Sequence, residues 1–428
     1  MVTADQDMTQ KPNIVYIHSH DTGRYIQPYG AAVPTPNLQR FADESVLFRQ
    51  AFCANPTCSP SRASLLSGQY PHSCGMLGLA HRGFEMKDYS QHLAAYLGRQ
   101  GYHTVLAGLQ HEIPHGREAE MGYQEILGTN TSGLEAAVSF LTREKLPGPF
   151  FLSVGFYETH RKFWPAGPQE PADRTAPPPG MPDTPETRQD MADFKASARI
   201  LDMKIGLVLE LLKKGGCNEN TVVVITTDHG IPFPGYKSNL TDKGIGVMLM
   251  LRLPRGQEAG RIVDGMVSQV DVFPTLCELA GVPIPKTVQG TSMMPLIRGA
   301  KKQIHDEIFA EMNYHATYEP MRCVRTLRYK YIRRWSEWCH PHLNNADPGL
   351  SKTVMVDAGW AETELPAEEL YDLMLDPQES CNRISDASYA DAIADLRARL
   401  NKFMAETNDP LLSGSVPPPA GAKVDPCK

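Results

Sequence analysis

Residues 13–24 read NIVYIHSHDTGR. Asn13 to His18 is a run of β-branched and aromatic side chains, the composition of a strand buried on both faces. Directly after it, Ser19-His20-Asp21 changes to groups that can bind a metal or move a proton. The runs HTVLAG (103–108), PFFLSVGF (149–156), TVVVITT (221–227) and VMLMLRL (247–253) read as further core strands. Helical patterns alternate with them. TPNLQRFADES starts a helix with Thr35 as N-cap and Pro36 at the first helical position. Amphipathic spacing from Arg188 to Lys214 stops at Gly215-Gly216, and DVFPTLCELAG ends a shorter helix at Gly281. The alternation predicts an α/β fold, a large central mixed β-sheet sandwiched by helices.

From about residue 306 the texture changes. DEIFAEM, MRCVRT, YKYIRR and EELYDL are four short strands with no helical pattern between them, and SYADAIADLRARLNKFMAE is a closing helix. The expected division is a catalytic domain over 1–305 and a smaller C-terminal α+β subdomain over 306–428, with a four-stranded antiparallel sheet. Trp164 to Pro185 holds eight prolines and little periodicity. Such a segment forms a pocket wall or an inert excursion.

With 428 residues, 41% of them hydrophobic, the chain can bury a large core. A net charge of −7 argues against a general nucleic-acid binder, so an anionic ligand must be met by local cations. Nine scattered cysteines without a CxxC pair are neither a disulfide framework nor a zinc ribbon. No apolar run approaches a membrane span. The opening residues lack the basic and apolar regions of a secretory leader, so a cytoplasmic location is expected. On that expectation the acceptor-like Asn130 and Asn239 are chance matches.

In open α/β sheets ligands sit beyond the carboxyl ends of the strands. Those ends carry His20 and Asp21, then His111, then His160, then Asp228 and His229, with Lys237 on the next loop. One buried histidine is usually a core residue; such residues at four strand ends make an active site. Asp21 and Asp228 are hard oxygen donors for a divalent cation, and His20 and His229 add nitrogen ligands or orient the carboxylates. CSPSRASLLSG (58–68) puts Cys58 and Arg62 at the mouth of a helix, whose N-terminal N–H groups favour an anion. Metal, Arg62, Lys237 and helix N-terminus describe a pocket for a tetrahedral oxyanion, with Cys58 placed to attack it.

The C-x-P-x-R motif of that stretch, with D-H-G far downstream, resembles the type I, formylglycine-dependent sulfatases of the alkaline-phosphatase superfamily. The resemblance runs from PNIV to the last helix. The stretches DHGIPFP, YEPMRCVR and ETNDPLL are similar to the heparan N-sulfatase (sulfamidase) branch. It implies that Cys58 is oxidised to formylglycine by a formylglycine-generating enzyme that reads Pro60 and Arg62. The hydrated aldehyde then attacks sulfur, forms a covalent sulfate ester and expels sulfate. By position, Asp21, Asp228 and His229 match the family's metal ligands, with His20 and the modified Cys58 beside them. Arg62 matches the residue that holds the formylglycine. His111 matches a base toward the formylglycine, His160 the residue that contacts sulfate or protonates the leaving group, and Lys237 the cation on the sulfate oxygens.

Two departures stand out. His20-Asp21 replaces Asp-Asp, and Gly108-Leu109-Gln110-His111 replaces Gly-Lys-x-His. The family implies Ca²⁺; two histidines shift the donor set toward Mn²⁺, with Mg²⁺ also open. NYHATYEPMR places His315, Glu319 and Arg322 at the pocket mouth, against a sugar or its amine. The expected substrate is a small sulfated amino sugar resembling N-sulfoglucosamine, or another sulfated sugar, aryl or alkyl ester. No nucleic-acid or membrane partner is expected, and a homo-oligomer is compatible with the sequence. The competing readings are a phosphonate monoester or phosphodiester hydrolase of the same superfamily, and a non-catalytic sulfoglycan-binding protein.

Overall fold

The computed structural model describes residues 11–128 and 130–427. Residues 1–10, which bear on the reading of the leader, lie outside the described residues. The strands are β1 (Asn13–Ser19), β2 (Val46–Phe48), β3 (Ala51–Phe52), β4 (His103–Gly108), β5 (Glu125–Leu127), β6 (Phe150–Gly155) and β7 (Thr221–Thr227). They continue with β8 (Leu249–Arg252), β9 (Ile262–Val263), β10 (Val267–Ser268), β11 (Glu307–Tyr314), β12 (Tyr318–Thr326), β13 (Tyr329–Arg334) and β14 (Glu368–Asp372).

Eight of them form the central sheet in the order β5-β4-β6-β1-β7-β8-β2-β9. β1 lies between β6 and β7 and is parallel to both, with His18 opposite Gly155 and Ser19 opposite Thr227. β8 runs antiparallel to β7 and β2, so the sheet is mixed, as expected. Alternation along β1 sends Ile14 and Tyr16 into one core and Val15 and Ile17 into the other. Full burial of each aliphatic side chain contributes roughly 2 kcal/mol. The 247–253 run pairs only over 249–252, because Val247 and Met248 donate their N–H groups to Ala51 and Gly23 instead.

Thr35 does stand at the N-cap of the helix Pro36–Asp43, but its hydroxyl accepts the Gln27 N–H at 2.9 Å rather than capping. The long helix Pro185–Lys214 begins three residues before Arg188, capped by a reciprocal Thr184–Thr187 pair. The proline-rich segment lies along that helix. Trp164 N–H donates to Ser197 Oγ at 2.9 Å, Arg199 pairs with Glu170 at 2.6 Å, and Tyr236 donates its hydroxyl to the Pro179 carbonyl at 2.5 Å.

β11 to β14 form the expected antiparallel sheet. The helix Ala390–Glu406 packs Ile393, Leu396, Leu400 and Met404 against Val324, Tyr331 and Leu370 on one face. On the other face Ile308, Ala310, Met312, Cys323 and Ile332 join the core beneath the central sheet. Between β13 and β14 an excursion over 335–367 carries the helix Leu350–Asp357, which packs on the long helix. Among the described residues no helix is long and apolar enough to cross a membrane.

Candidate active site

The register of β1 and β7 decides where the site forms. With Ser19 opposite Thr227, the next residues of both strands meet: the Asp21 N–H donates to Asp228 Oδ1 at 2.8 Å. Asp21 takes φ +56°, a left-handed conformation that a non-glycine residue rarely adopts, and so turns sharply at the strand end. The helix Cys58–Ser67 runs up to these strand ends and is buried along its whole length. Ser61 Oγ donates to the Asp228 carbonyl at 2.6 Å, fixing the helix to β7. Gly68 ends the helix at φ +66°, where a Cβ would lie 3.0 Å from Val288 and 3.1 Å from Phe273.

His20, Asp21, Cys58, Asp228 and His229 are all buried, and each offers a ligand atom within 4.8 Å of the others. His20 Nδ1 lies 2.7 Å from Asp21 Oδ1 and 3.1 Å from Asp228 Oδ2, bridging the carboxylates as a cation would. Its Nε2 has no hydrogen-bond partner among the described residues. His229 Nδ1 donates to the Gly230 carbonyl at 3.0 Å, which leaves the Nε2 lone pair facing Asp21 Oδ1 at 3.2 Å and Cys58 Sγ at 3.5 Å. Two carboxylates and two imidazoles around one point fit a divalent cation of borderline character.

The surrounding charges are paired. Arg62 donates to Asp228 Oδ2 and the Ser19 carbonyl, both at 2.9 Å, and to His18 Nδ1. Lys237 Nζ lies 3.0 Å from Asp21 Oδ2 and 2.9 Å from Asp347 Oδ2. Burial opposes ionisation of Asp21, but Lys237 and then His20 hold its carboxyl well below the usual range. Burial pushes the Cys58 thiol well above its ordinary value, so the unmodified side chain is no thiolate. His160 Nε2 is 3.9 Å from Asp21 Oδ2, while its Nδ1 contacts the Tyr157 hydroxyl and the Arg161 carbonyl. The ring of His111 lies 5.1 Å from that of His20, and burial lowers its pKa well below the ordinary value. Leu109, where the resemblance has lysine, is fully buried.

The residues proposed for the sugar divide three ways. His315 is buried, and after burial itself its titration responds to the nearby charges of Lys237, Asp347 and His229. Glu319 accepts from Asn345 Nδ2 at 2.8 Å, just outside the cluster. Arg322 is a correction: it is fully buried and cannot meet a sugar. Asp409 receives its Nε and Nη2 at 2.5 and 2.8 Å, and the Met312 and Met321 carbonyls receive Nη1.

Sequence reasoning missed two residues. His18 looked like strand interior, yet it is the partner of Arg62. Asp347 belongs to the 335–367 excursion, which follows no strand of the central sheet; only its turn-forming NNADPG context could have drawn notice.

Residues 12–282 match the family described as Sulfatase, and 236–364 match the one described as N-sulphoglucosamine sulphohydrolase, C-terminal. The human N-sulphoglucosamine sulphohydrolase is 28% identical over 440 residues, covering 89% of this chain and 87% of its own. A solved protein in complex with its substrate D-glucosamine-2-N,6-O-disulfate superposes with TM-score 0.71 at 18% identity, covering 94% and 99% of the two chains. The phosphonate monoester hydrolase of Agrobacterium radiobacter does so with TM-score 0.67 at 19% identity, covering 94% and 97%. With the match spanning both strand ends and the Cys58 helix, the chain belongs to the sulfatase family, sulfuric ester hydrolases of alkaline-phosphatase-like fold.

Proposed function

We propose that the protein hydrolyses the sulfamate or a sulfate ester of a sulfated amino sugar resembling N-sulfoglucosamine. The observation that carries this is the buried convergence of Cys58 with two carboxylates, two imidazoles and Lys237. Similarity to the human N-sulphoglucosamine sulphohydrolase supports the substrate class. His20, Asp21, Asp228 and His229 are the residues to hold the divalent cation, which supplies Lewis-acid charge to the sulfuryl oxygens. Formylglycine, made from Cys58 by a formylglycine-generating enzyme, supplies a hydrated aldehyde as the nucleophile.

The chain's own residues do the rest. Lys237 Nζ holds the sulfate oxygens, kept in place by Asp347. Arg62, locked by three partners, orients Asp228 and the residue at 58. His160 donates its Nδ1–H to the Arg161 carbonyl, so Nε2 turns its lone pair to the pocket and passes a proton to the leaving nitrogen or oxygen after taking one up. His111, whose pKa burial lowers, would serve as the base toward the hydrated aldehyde's second hydroxyl.

One observation favours a second reading: without a cation at Leu109 the pocket also suits a phosphonate monoester or a phosphodiester. Sulfate release from N-sulfoglucosamine and from 6-O-sulfoglucosamine, against phosphonate release from an aryl ester, separates them. The test uses metal-loaded enzyme with formylglycine verified by peptide mass. Release from the N-sulfated sugar is expected. Faster phosphonate release would make the second reading the correct one.

A further inference from the structure

Beside the cluster lies a cavity of about 90 Å³. Its walls come from β12, β13, the loop after β7 and the 335–367 excursion. Lys237 belongs to both places: it lines the cavity, and its Nζ reaches Asp21. The two are therefore separated by one lysine side chain.

The polar groups on these walls are underused. His342 is only 4% exposed, yet neither ring nitrogen has a hydrogen-bond partner among the described residues. Arg334 Nε is likewise unpartnered, and its Nη2 stands 3.4 Å from Glu369. A buried polar atom without a partner is costly, so the His342 ring and Arg334 Nε left open where four elements converge point to a ligand. Burial, with Arg334 second, lowers the pKa of His342 to about 4, so its imidazole is neutral at ordinary pH. A neutral ring offers one N–H and one lone pair, the complement of a hydroxyl. Glu319 accepts from Asn345 on one oxygen, and Arg334 supplies a donor alongside. Trp360 adds an aromatic wall. Charges of both signs line the space, which fits an uncharged hydroxyl-bearing group better than a second anion.

We propose that Glu319, Arg334, His342, Asn345 and Trp360 form a subsite for the hydroxyl-bearing edge of the sugar whose sulfate is held at Lys237. This rests on the sulfatase reading above and adds the element that recognises the sugar.

Binding is measured by calorimetry in the metal-loaded Cys58→Ala protein, which does not turn over. The ligands are N-sulfoglucosamine and methyl sulfate, which has a sulfate but no sugar hydroxyls. His342→Phe, and separately Trp360→Ala, are added to that background. In each the ratio of the two Kd values should move about tenfold against the sugar. Equal shifts, no shift, or no sugar binding at all would overturn the subsite. The differential together with no sulfate release by the unmutated enzyme would leave the subsite standing and sink the sulfatase reading. Release without the differential would do the reverse.

Discussion

Two of the clusters of acids, bases and histidine among the described residues, one around Arg322 and one at the strand ends, differ in how their arginines are partnered. Around Arg322 the guanidinium is bidentate to Asp409 and spends its other N–H groups on carbonyls and Asn313, while His72 pairs with Glu311. At the strand ends His20 Nε2 and Arg62 Nε have no partners among the described residues, and His20 has to bridge two carboxylates. In the first arrangement the guanidinium is fully partnered and ties β12 to the end of the last helix, while His72 Nε2 alone has no partner among the described residues. The second keeps lone pairs and charge for something that arrives. Composition does not separate the two; how fully each arginine is partnered does.

Substitution should pull them apart most. Arg322→Ala leaves Asp409 buried and unpaired, with an expected cost of about 3–5 kcal/mol in urea unfolding. Sulfate release per folded molecule should stay within a few fold. Arg62→Ala should instead cut release by at least about a hundredfold. Equal losses of activity in both variants would erase the distinction.

The C-terminal sheet also holds a titrating group. Burial raises the Glu319 carboxyl to about 7 from 4.5. The folded state therefore binds more protons than the unfolded chain between those values, and stability falls as pH rises through that window. Glu319→Gln should abolish this slope, a difference of about 3 kcal/mol between pH 4 and 8. A wild-type curve parallel to the variant's would refute the assignment.

Cation binding sharpens the open side. At a hundredfold excess over Kd a divalent ion should stabilise the protein by about 2.7 kcal/mol. Mn²⁺ should shift the melting temperature more than Ca²⁺, given the two imidazoles, and Asp228→Asn should lose the shift. A response to Ca²⁺ alone would contradict the mixed donor set. The smallest expected effect is at Asp347, one of two carboxylates holding Lys237. Asp347→Asn should lower kcat about tenfold in steady-state assays, and an unchanged kcat would remove it from the site.

Much of this was legible because parallel strands advertise both their interiors and their ends. The apolar runs located β1, β4, β6 and β7, and the polar residues just past them located His20, Asp21, His111, His160, Asp228 and His229. Arg322 was misplaced for the opposite reason: β12 is buried on both faces, so an arginine among apolar neighbours marked an internal ion pair, not a mouth. His18 points from a strand that reads as pure core. Asp347 and His342 come from an excursion whose position is set by packing on the long helix and by the Ser238 hydroxyl on the Asn345 carbonyl, contacts that no local periodicity encodes.

The pairing of β1 with β7 also has a consequence for the order of synthesis. The central strand of the sheet leaves the ribosome first, yet one of its neighbours begins at Thr221, 163 residues after Cys58. At typical translation speeds that interval lasts roughly 8–30 s. During it the Cys58 segment has no β7 to pack against, whereas in the finished protein Cys58 is 4% exposed. Any enzyme that alters this side chain would therefore meet it on the growing or unfolded chain, and a fold that closed sooner would shorten the time open to such an enzyme.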